Sequence, residues 1–412
     1  MSIRPVHRAL VPVNSDAAWR LSSPNYDEFQ GDKEIWDMLQ ARPDNVLRVT
    51  MAHCDFPRFD DILDEGSDAA LAKSTENMQS LTSNPLARIA EDVLFIYEVV
   101  SPRRPDVRQI GLGGMARTAE IRTDENPEGV IIRNEGIMPE KAAGRAKLIT
   151  ATNADFGTVN CAVRDRSGGL TAVLEKIADM RPCDFETRDE ADNLHRVWLV
   201  SDRFERDELA SQLAQEPAAY VADGNHRSAA AAHLGKEAFQ AVFFPTARLR
   251  LEPYNRLVKD AGVSKEGILT QLEEHFRVES LGALPTYRPT AIHDIGLYID
   301  GEWYQLMPRS GCYDAANAAE SIDSDIIQRH FLDGILGLTN PRDKKINYVG
   351  GNKDAAWLKS QVDAGHYQLA MSVAPVTMDQ FVAVCEQNRF MPPKSTWFDP
   401  KIRSGLVVAL LT

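Results

Sequence analysis

The sequence has no apolar run approaching the ~18 residues that a membrane-spanning helix requires, so no bilayer span is expected. Cysteine is scarce and scattered. Cys54, Cys161, Cys183, Cys312 and Cys385 are odd in number and contain no C-x-x-C pair, which argues against a disulfide framework or a structural zinc knuckle. Cys161 and Cys385 lie in apolar stretches and read as buried filler. Positive charge is also in deficit: 60 acidic against 46 basic residues leave a net charge of −14, which on average repels phosphate backbones and anionic lipid. Nucleic acid and membrane are therefore not expected partners. The opening MSIRPVHRALVPVNSDAAWR has neither an apolar h-region nor a cleavage site, so the expected location is the cytoplasm. Internal repeats and low-complexity tracts are missing as well.

What is present is ordinary globular composition, 43% apolar and 26% charged over 412 residues, long enough for two or three domains at roughly 150 residues each. Hydrophobic periodicity predicts helices at Asp32 to Leu39, Asp68 to Leu86, Met138 to Thr152 and Glu266 to Phe276, and strands at Val46 to Met51, Val93 to Val100, Val107 to Leu112 and Gly129 to Arg133. Further strands are expected at Thr158 to Val163, His195 to Val200 and Ala219 to Ala222. Asp300-Gly301 between alternating apolar residues marks a two-residue hairpin. The last third reads strand, helix, strand, helix, loop, strand, ending at Leu406 to Leu411. The expected class is α/β or α+β, a mixed β-sheet with flanking helices. A soft domain boundary is placed near Asp260, giving regions 1–260 and 261–412, with the last strand free to return to the first sheet.

The sharpest motif is Val221-Ala222-Asp223-Gly224-Asn225-His226-Arg227-Ser228, a buried strand turning through glycine into an alanine-rich helix that stops at Gly235. A helix N-terminus presents unpaired N–H groups and partial positive charge, hence an anion site built by Gly224, Asn225 and Ser228. Arg227 adds a guanidinium fork, His226 a donor or proton shuttle, and Asp223 a magnesium ligand or base. The bland alternative is a capping Asp223 beside a surface ion pair. Glu135, after the apolar Val130 to Ile132, could act as a base or as a salt-bridged acid. Lys394, Ser395 and Thr396, in the proline- and aromatic-bounded Met391 to Phe398 loop, suit phosphate or nucleotide, against a loop that simply packs Trp397.

Three other features are discounted. Gly111-Leu112-Gly113-Gly114-Met115-Ala116, with Glu135 downstream, fits a dinucleotide fingerprint, but Arg117 to Asn126 is too short, polar and β-branched for the crossover helix. Lys141, Arg145 and Lys147 could meet phosphates, but a solvated helix face is the commoner outcome for such a run. His53-Cys54-Asp55 is set aside as a metal site because adjacent residues seldom converge on one ion.

PNYDEF (Pro24 to Phe29), LRVT (Leu47 to Thr50), YVADGNHRSAAA (Tyr220 to Ala231), FFPTARLRLEPYNRLVKD (Phe243 to Asp260), NYVGG (Asn347 to Gly351) and MPPKSTWFDPKIRSGL (Met391 to Leu406) together resemble the family catalogued as Domain of Unknown Function 1015. The sequence departs from that family's pattern twice: Asn225 stands where D-G-H-H-R has its first histidine, and Asn134 stands in the middle of R-H-E. More locally, the D-G-x-H-R turn resembles the ParB/sulfiredoxin-like nucleotide-binding element, which includes free serine kinases. That resemblance implies a phosphotransferase acting on the hydroxyl of a small polar metabolite, L-serine first, with ATP or ADP and Mg²⁺. Asp223, His226 and Arg227 would then handle phosphate and protons; the base toward the acceptor hydroxyl, read from the residues themselves, is Glu135 first and Asp223 second. The competing expectations are a non-enzymatic switch responding to CTP or ATP and, through the Gly111 motif, a dinucleotide-dependent oxidoreductase. Homo-oligomerisation stays open.

Overall fold

The computed structural model describes every residue except Gln30, Arg342, Asn352 and Thr412, together with the side chain of Asp27. By contacts the chain divides into two compact units, the first formed by Met1–Arg133, Ile137–Leu249 and Pro400–Thr412, the second by Asn134–Gly136 and Arg250–Asp399. The division thus falls at Leu249 rather than near Asp260. The reason is the strand Tyr254–Val258, fully buried and hydrogen-bonded on both sides to Ile346–Gly350 and Leu369–Val373, which makes it interior to the second sheet. The C-terminal strand Val408–Leu410 pairs with Val6–Pro12 in the first unit.

The first unit is a mixed sheet with flanking helices. Its path runs Ile131–Ile132, Ala219–Asp223, Val159–Val163, Ala238–Pro245, Arg104–Arg117, Ala87–Ser101, Val6–Pro12, Val408–Leu410 and Ala154–Asp155. Ala238–Pro245 is parallel to Val159–Val163 and antiparallel to Arg104–Arg117, which makes the sheet mixed. Apolar side chains of Ile96, Ile110, Leu112, Cys161, Val221 and Phe243 fill one core beneath it with Leu170, Leu174 and Leu213 of the helices Gly169–Met180 and Arg203–Ala214. Those two helices and the short strand Phe185–Arg188 were not anticipated from the sequence.

The glycine motif is an interior strand, which corrects the dinucleotide alternative. Arg104–Arg117 continues straight through Gly111, Gly113 and Gly114, and only a three-residue 3-10 turn, Thr118–Glu120, follows. The absent side chains make room for neighbours: a Cβ at Gly113 would lie 2.1 Å from the Phe95 ring across the ladder, and one at Gly111 would lie 2.7 Å from the Phe243 carbonyl oxygen. Such glycines mark close approach of backbone and ring rather than a phosphate turn.

Val46 to Met51 is also corrected from strand to helix. Leu47–Thr50 forms a short helix whose first N–H, that of Leu47, donates to Asn45 Oδ1 at 2.9 Å. Val46 and Val49 enter one apolar cluster while Leu47 and Met51 enter another. Spacings of three and four residues per face are helical, whereas a strand would have turned Arg48 and Thr50 inward with Val46. Tertiary burial overrides β-propensity here.

A buried polar chain ties two strands, the turn after Phe185–Arg188 and the C-terminal segment of this unit. The Arg403 N–H donates to the Tyr97 hydroxyl at 3.0 Å, the hydroxyl lies 2.9 Å from His195 Nδ1, and His195 Nε2 lies 3.2 Å from Asp189 Oδ2. With Tyr97 accepting from Arg403, its own proton goes to Nδ1, so neutral His195 carries hydrogen on Nε2 and donates to Asp189. Complete burial lowers the His195 pKa, with Asp189 acting in the opposite sense. Burial alone would raise Asp189, yet hydrogen bonds from His195 and Asn193 hold it well below the usual carboxylate range. The unfolded imidazole takes a proton near ~6.5 while the folded one resists it, so the unfolded state binds more protons below that pH and stability falls on acidification. Asp189 adds a second loss in the same direction at lower pH. Urea midpoints should therefore decrease from pH 7.5 to 5.5, and His195→Gln should flatten that decrease; equal slopes for both proteins would contradict the assignment.

The second unit holds an antiparallel sheet in the order Phe276–Gly282, Glu302–Pro308, Ile295–Ile299, Leu369–Val373, Tyr254–Val258, Ile346–Gly350. The anticipated hairpin turns at Asp300 and Gly301, with φ of 48° and 82°, the left-handed pair of a type I′ turn. Ile268, Leu272, Phe331 and Leu332 cover the sheet from the helix Lys265–His275 and from the π-helix Gln328–Asp333. Among the described residues, no helix is long and apolar enough to cross a membrane.

Candidate functional site

The D-G-N-H-R turn forms as the sequence suggests, with its charges directed inward. Ala219–Asp223 is buried through Ala222, Gly224 turns the chain with φ 104°, and the helix Asn225–His233 begins directly after it. Gly157 and Gly224 leave space for the Arg227 side chain, which a Cβ at Gly157 would meet at 2.6 Å. Arg227, 8% exposed, donates through Nη1 to the Thr158 carbonyl and through Nη2 to Asp223 Oδ2, both at 2.5 Å. Lys401 Nζ stands 3.6 Å from the other Asp223 oxygen.

These bonds revise several roles. The Arg227 fork is committed to its own chain, so it locks the strand–turn–helix and is not a ready phosphate clamp. Asp223 lies between two cations, and among the described residues it joins no group of three convergent His, Cys, Asp or Glu ligands. Both Asp223 carboxylate oxygens thus face cations, Arg227 and Lys401, which would compete with a magnesium ion for them. Ser228 is fully buried and its hydroxyl donates to the Asn225 carbonyl at 2.9 Å, which withdraws it from any ligand. His226 Nε2 accepts the Met138 N–H at 3.1 Å, so a neutral ring carries its proton on Nδ1.

A pocket of about 520 Å³, its open mouth included, lies beside the turn within the first unit, lined by Asn25, Tyr26, Arg145, Ile149, Asp155, Phe156 and Arg227 among others. The helix Pro139–Thr152 places Arg145, Leu148 and Ile149 on one face by i, i+3, i+4 spacing. Lys141 and Lys147 are exposed, as expected of a solvated face, but Arg145 turns inward. Its guanidinium lies over the Tyr26 ring, 3.4 Å from the centroid, with Glu65 at 3.6 Å. Asp155 is 8% exposed and accepts the N–H groups of Gly157 at 3.0 Å and Gln240 at 3.1 Å. Burial raises its pKa; the two hydrogen bonds and the Arg227 charge act in the opposite sense. A guanidinium, a reluctantly ionised carboxyl and an apolar wall thus share one concavity, the composition typical of small-ligand sites.

Sequence reasoning missed Asp155 and Tyr26 and discounted Arg145. Asn153-Ala154-Asp155-Phe156-Gly157 did carry a signal, an acid flanked by apolar residues and a glycine next to an apolar strand. Tyr26 lies in the PNYDEF landmark, whose residue types alone signal no chemistry.

The remaining predicted residues belong to the second unit, where the structure brings Glu135 and the Met391 to Phe398 loop together. Glu135 bridges Met391 in parallel register, and the Met391 N–H donates to the Asn134 carbonyl at 2.9 Å. Lys394 Nζ reaches the Tyr254 hydroxyl at 3.3 Å. Ser395 and Thr396 are buried: the Ser395 hydroxyl donates to the Pro392 carbonyl at 2.6 Å and accepts from Ser324 at 2.8 Å, and Thr396 accepts from Asn134 at 3.5 Å. Both hydroxyls hold the loop rather than present themselves to a phosphate. Trp397 packs against Gly350 and edge-on to Tyr254, 5.2 Å between centroids, the packing role weighed as the bland alternative.

The sequence model of the family described as "Protein of unknown function (DUF1015)" matches residues 3–331. The chain belongs to this family. No curated protein matches the chain. Among solved structures the chain is similar to SbnI with C-terminal truncation from Staphylococcus aureus (TM-score 0.38, 11% identity, 72% of this chain and 87% of that one). It is similar also to a free serine kinase in complex with AMP (TM-score 0.38, 10% identity, 67% and 89%) and to a conserved hypothetical protein from Pyrococcus furiosus (TM-score 0.37, 10% identity, 69% and 94%). These likenesses assign no role to any residue of the family member described here.

Proposed function

We propose that the first unit binds a nucleotide in the pocket beside the D-G-N-H-R turn and that the protein uses it to phosphorylate the hydroxyl of a small polar metabolite, with free L-serine the first acceptor to test. The observation that carries this reading is the meeting of Arg145, Asp155 and an apolar–aromatic wall in one pocket. Arg145 is the cation suited to phosphate oxygens, and Tyr26, Ile149 and Phe156 offer flat or apolar surface to a base. Phosphoryl transfer depends chiefly on positioning and charge neutralisation. The bond from the terminal phosphorus to its bridging oxygen breaks, a bond to the acceptor oxygen forms, and the hydroxyl proton passes to a carboxylate. Within this unit Asp155 is the carboxyl placed for that step.

Incubation with ATP or ADP and a panel of hydroxyl metabolites, followed by ³¹P NMR, tests the reaction. A new phosphomonoester is expected, and loss of the base in Asp155→Asn should slow its formation about 10²- to 10⁴-fold. No phosphorylated product with any acceptor would remove the kinase reading.

A second reading, a nucleotide-responsive switch without catalysis, is favoured by the internal bonding of the turn, since Asp223 and Arg227 hold each other and His226 accepts the Met138 N–H. It predicts a nucleotide-dependent change in oligomeric state with no phosphorylated product.

A further inference from the structure

The pair His53-Cys54, set aside on sequence grounds, acquires a third ligand through folding. Asp32 opens the helix Asp32–Ala41, while His53 and Cys54 end the 3-10 turn Ala52–Cys54. The short helix between them folds the turn back onto the first residue of Asp32–Ala41. One donor atom each from Asp32, His53 and Cys54 then lies within 4.8 Å of the others, the sole such convergence of His, Cys, Asp or Glu among the described residues. Asp55, the expected neighbour, points elsewhere and pairs with Arg48 at 3.2 Å and Lys73 at 3.6 Å.

We propose that Asp32, His53 and Cys54 bind one zinc-class divalent ion, with its fourth coordination position open to solvent. His53 Nε2 lies 3.2 Å from Asp32 Oδ1. A tetrahedral ion with bonds of ~2.0–2.1 Å to nitrogen and oxygen and ~2.3 Å to sulfur has edges of about 3.4–3.6 Å, so the N···O edge already has nearly the required length. The sulfur is 3.8 Å from the Asp32 backbone carbonyl, all three donor atoms lie within 4.8 Å of one another, and the half-exposed Asp32 carboxylate is free to rotate toward a bound ion. His53 and Cys54 are buried, and Cys54 packs with Ile35, Leu39, Leu47 and Met51, which fixes it in position. Imidazole with thiolate is a donor set that selects zinc over magnesium or calcium. The charges also balance: a thiolate and a carboxylate neutralise a divalent ion, the thiol proton being released to solvent on binding. Such an ion would tie the start of one helix to the end of the following turn.

Cobalt(II) titration of the full-length protein, after removal of metal with EDTA, tests the site optically. The expected result is a thiolate-to-cobalt charge-transfer band that saturates at one equivalent and disappears on adding Zn²⁺. Cys54→Ser should abolish the band. Asp32→Ala, at an exposed position that leaves the fold intact, should weaken cobalt affinity about tenfold or more. Absence of the band, its persistence in Cys54→Ser, or unchanged affinity in Asp32→Ala would overturn the proposal.

Discussion

Gly113→Val is expected to destabilise the protein by about 3 kcal/mol or more, read as a lowered urea midpoint. A Cβ at this position would lie 2.1, 2.2 and 2.5 Å from three atoms of the Phe95 ring, and Phe95 is buried at the centre of the sheet with no space to retreat. Phe95 and Gly113 are direct cross-strand partners, so either the ring leaves its rotamer or the ladder opens. Gly144→Ala is the matched control. It sits in the helix Pro139–Thr152 with nothing within 4 Å of the added carbon, so it should stabilise by up to about 1 kcal/mol. A neutral Gly113→Val would show that the glycine run is not a packing track.

Arg227→Met should cost about 2–4 kcal/mol, the range for breaking a largely buried ion pair, lowered because Lys401 remains beside Asp223 and Asp223 is 21% exposed. Two bonds are lost together: the Thr158 carbonyl loses its guanidinium donor and Asp223 loses its principal partner. Arg227→Lys keeps the charge but cannot span both acceptors in fixed geometry, so its destabilisation should be intermediate. Were Arg227 only a ligand clamp, both variants would melt like wild type and lose nucleotide affinity alone. Chemical denaturation of the ligand-free proteins separates the two cases.

The legible parts of the fold were those whose signal is local. The 3.6-residue period of Pro139–Thr152, the Asp300-Gly301 turn and the strand entering Asp223-Gly224 each follow from a few neighbouring residues. Val46 to Met51 was misread because its valines favour strand, while its faces are sorted by contacts with two clusters distant in sequence. For the site, the turn was visible but the destination of its side chains was not. Whether Arg227 faces solvent or Asp223 depends on Gly157, about 70 positions earlier, leaving room for its stem, a long-range coincidence that no local pattern encodes. The same holds for Arg145, indistinguishable in sequence from Lys141 and Lys147 until the fold sets Tyr26 beneath it, and for Asp32, which joins His53 and Cys54 only through the intervening helix.

The central claim is that the pocket of the first unit binds a nucleotide through Arg145. Isothermal titration calorimetry with ADP, run in parallel on wild type and Arg145→Ala, tests it most directly. Binding at one site per chain is expected for wild type, with affinity reduced about tenfold or more in the variant, as loss of a charge-assisted hydrogen bond worth ~1.5–3 kcal/mol implies. Equal affinities, or no heat from wild type at all, would contradict the account.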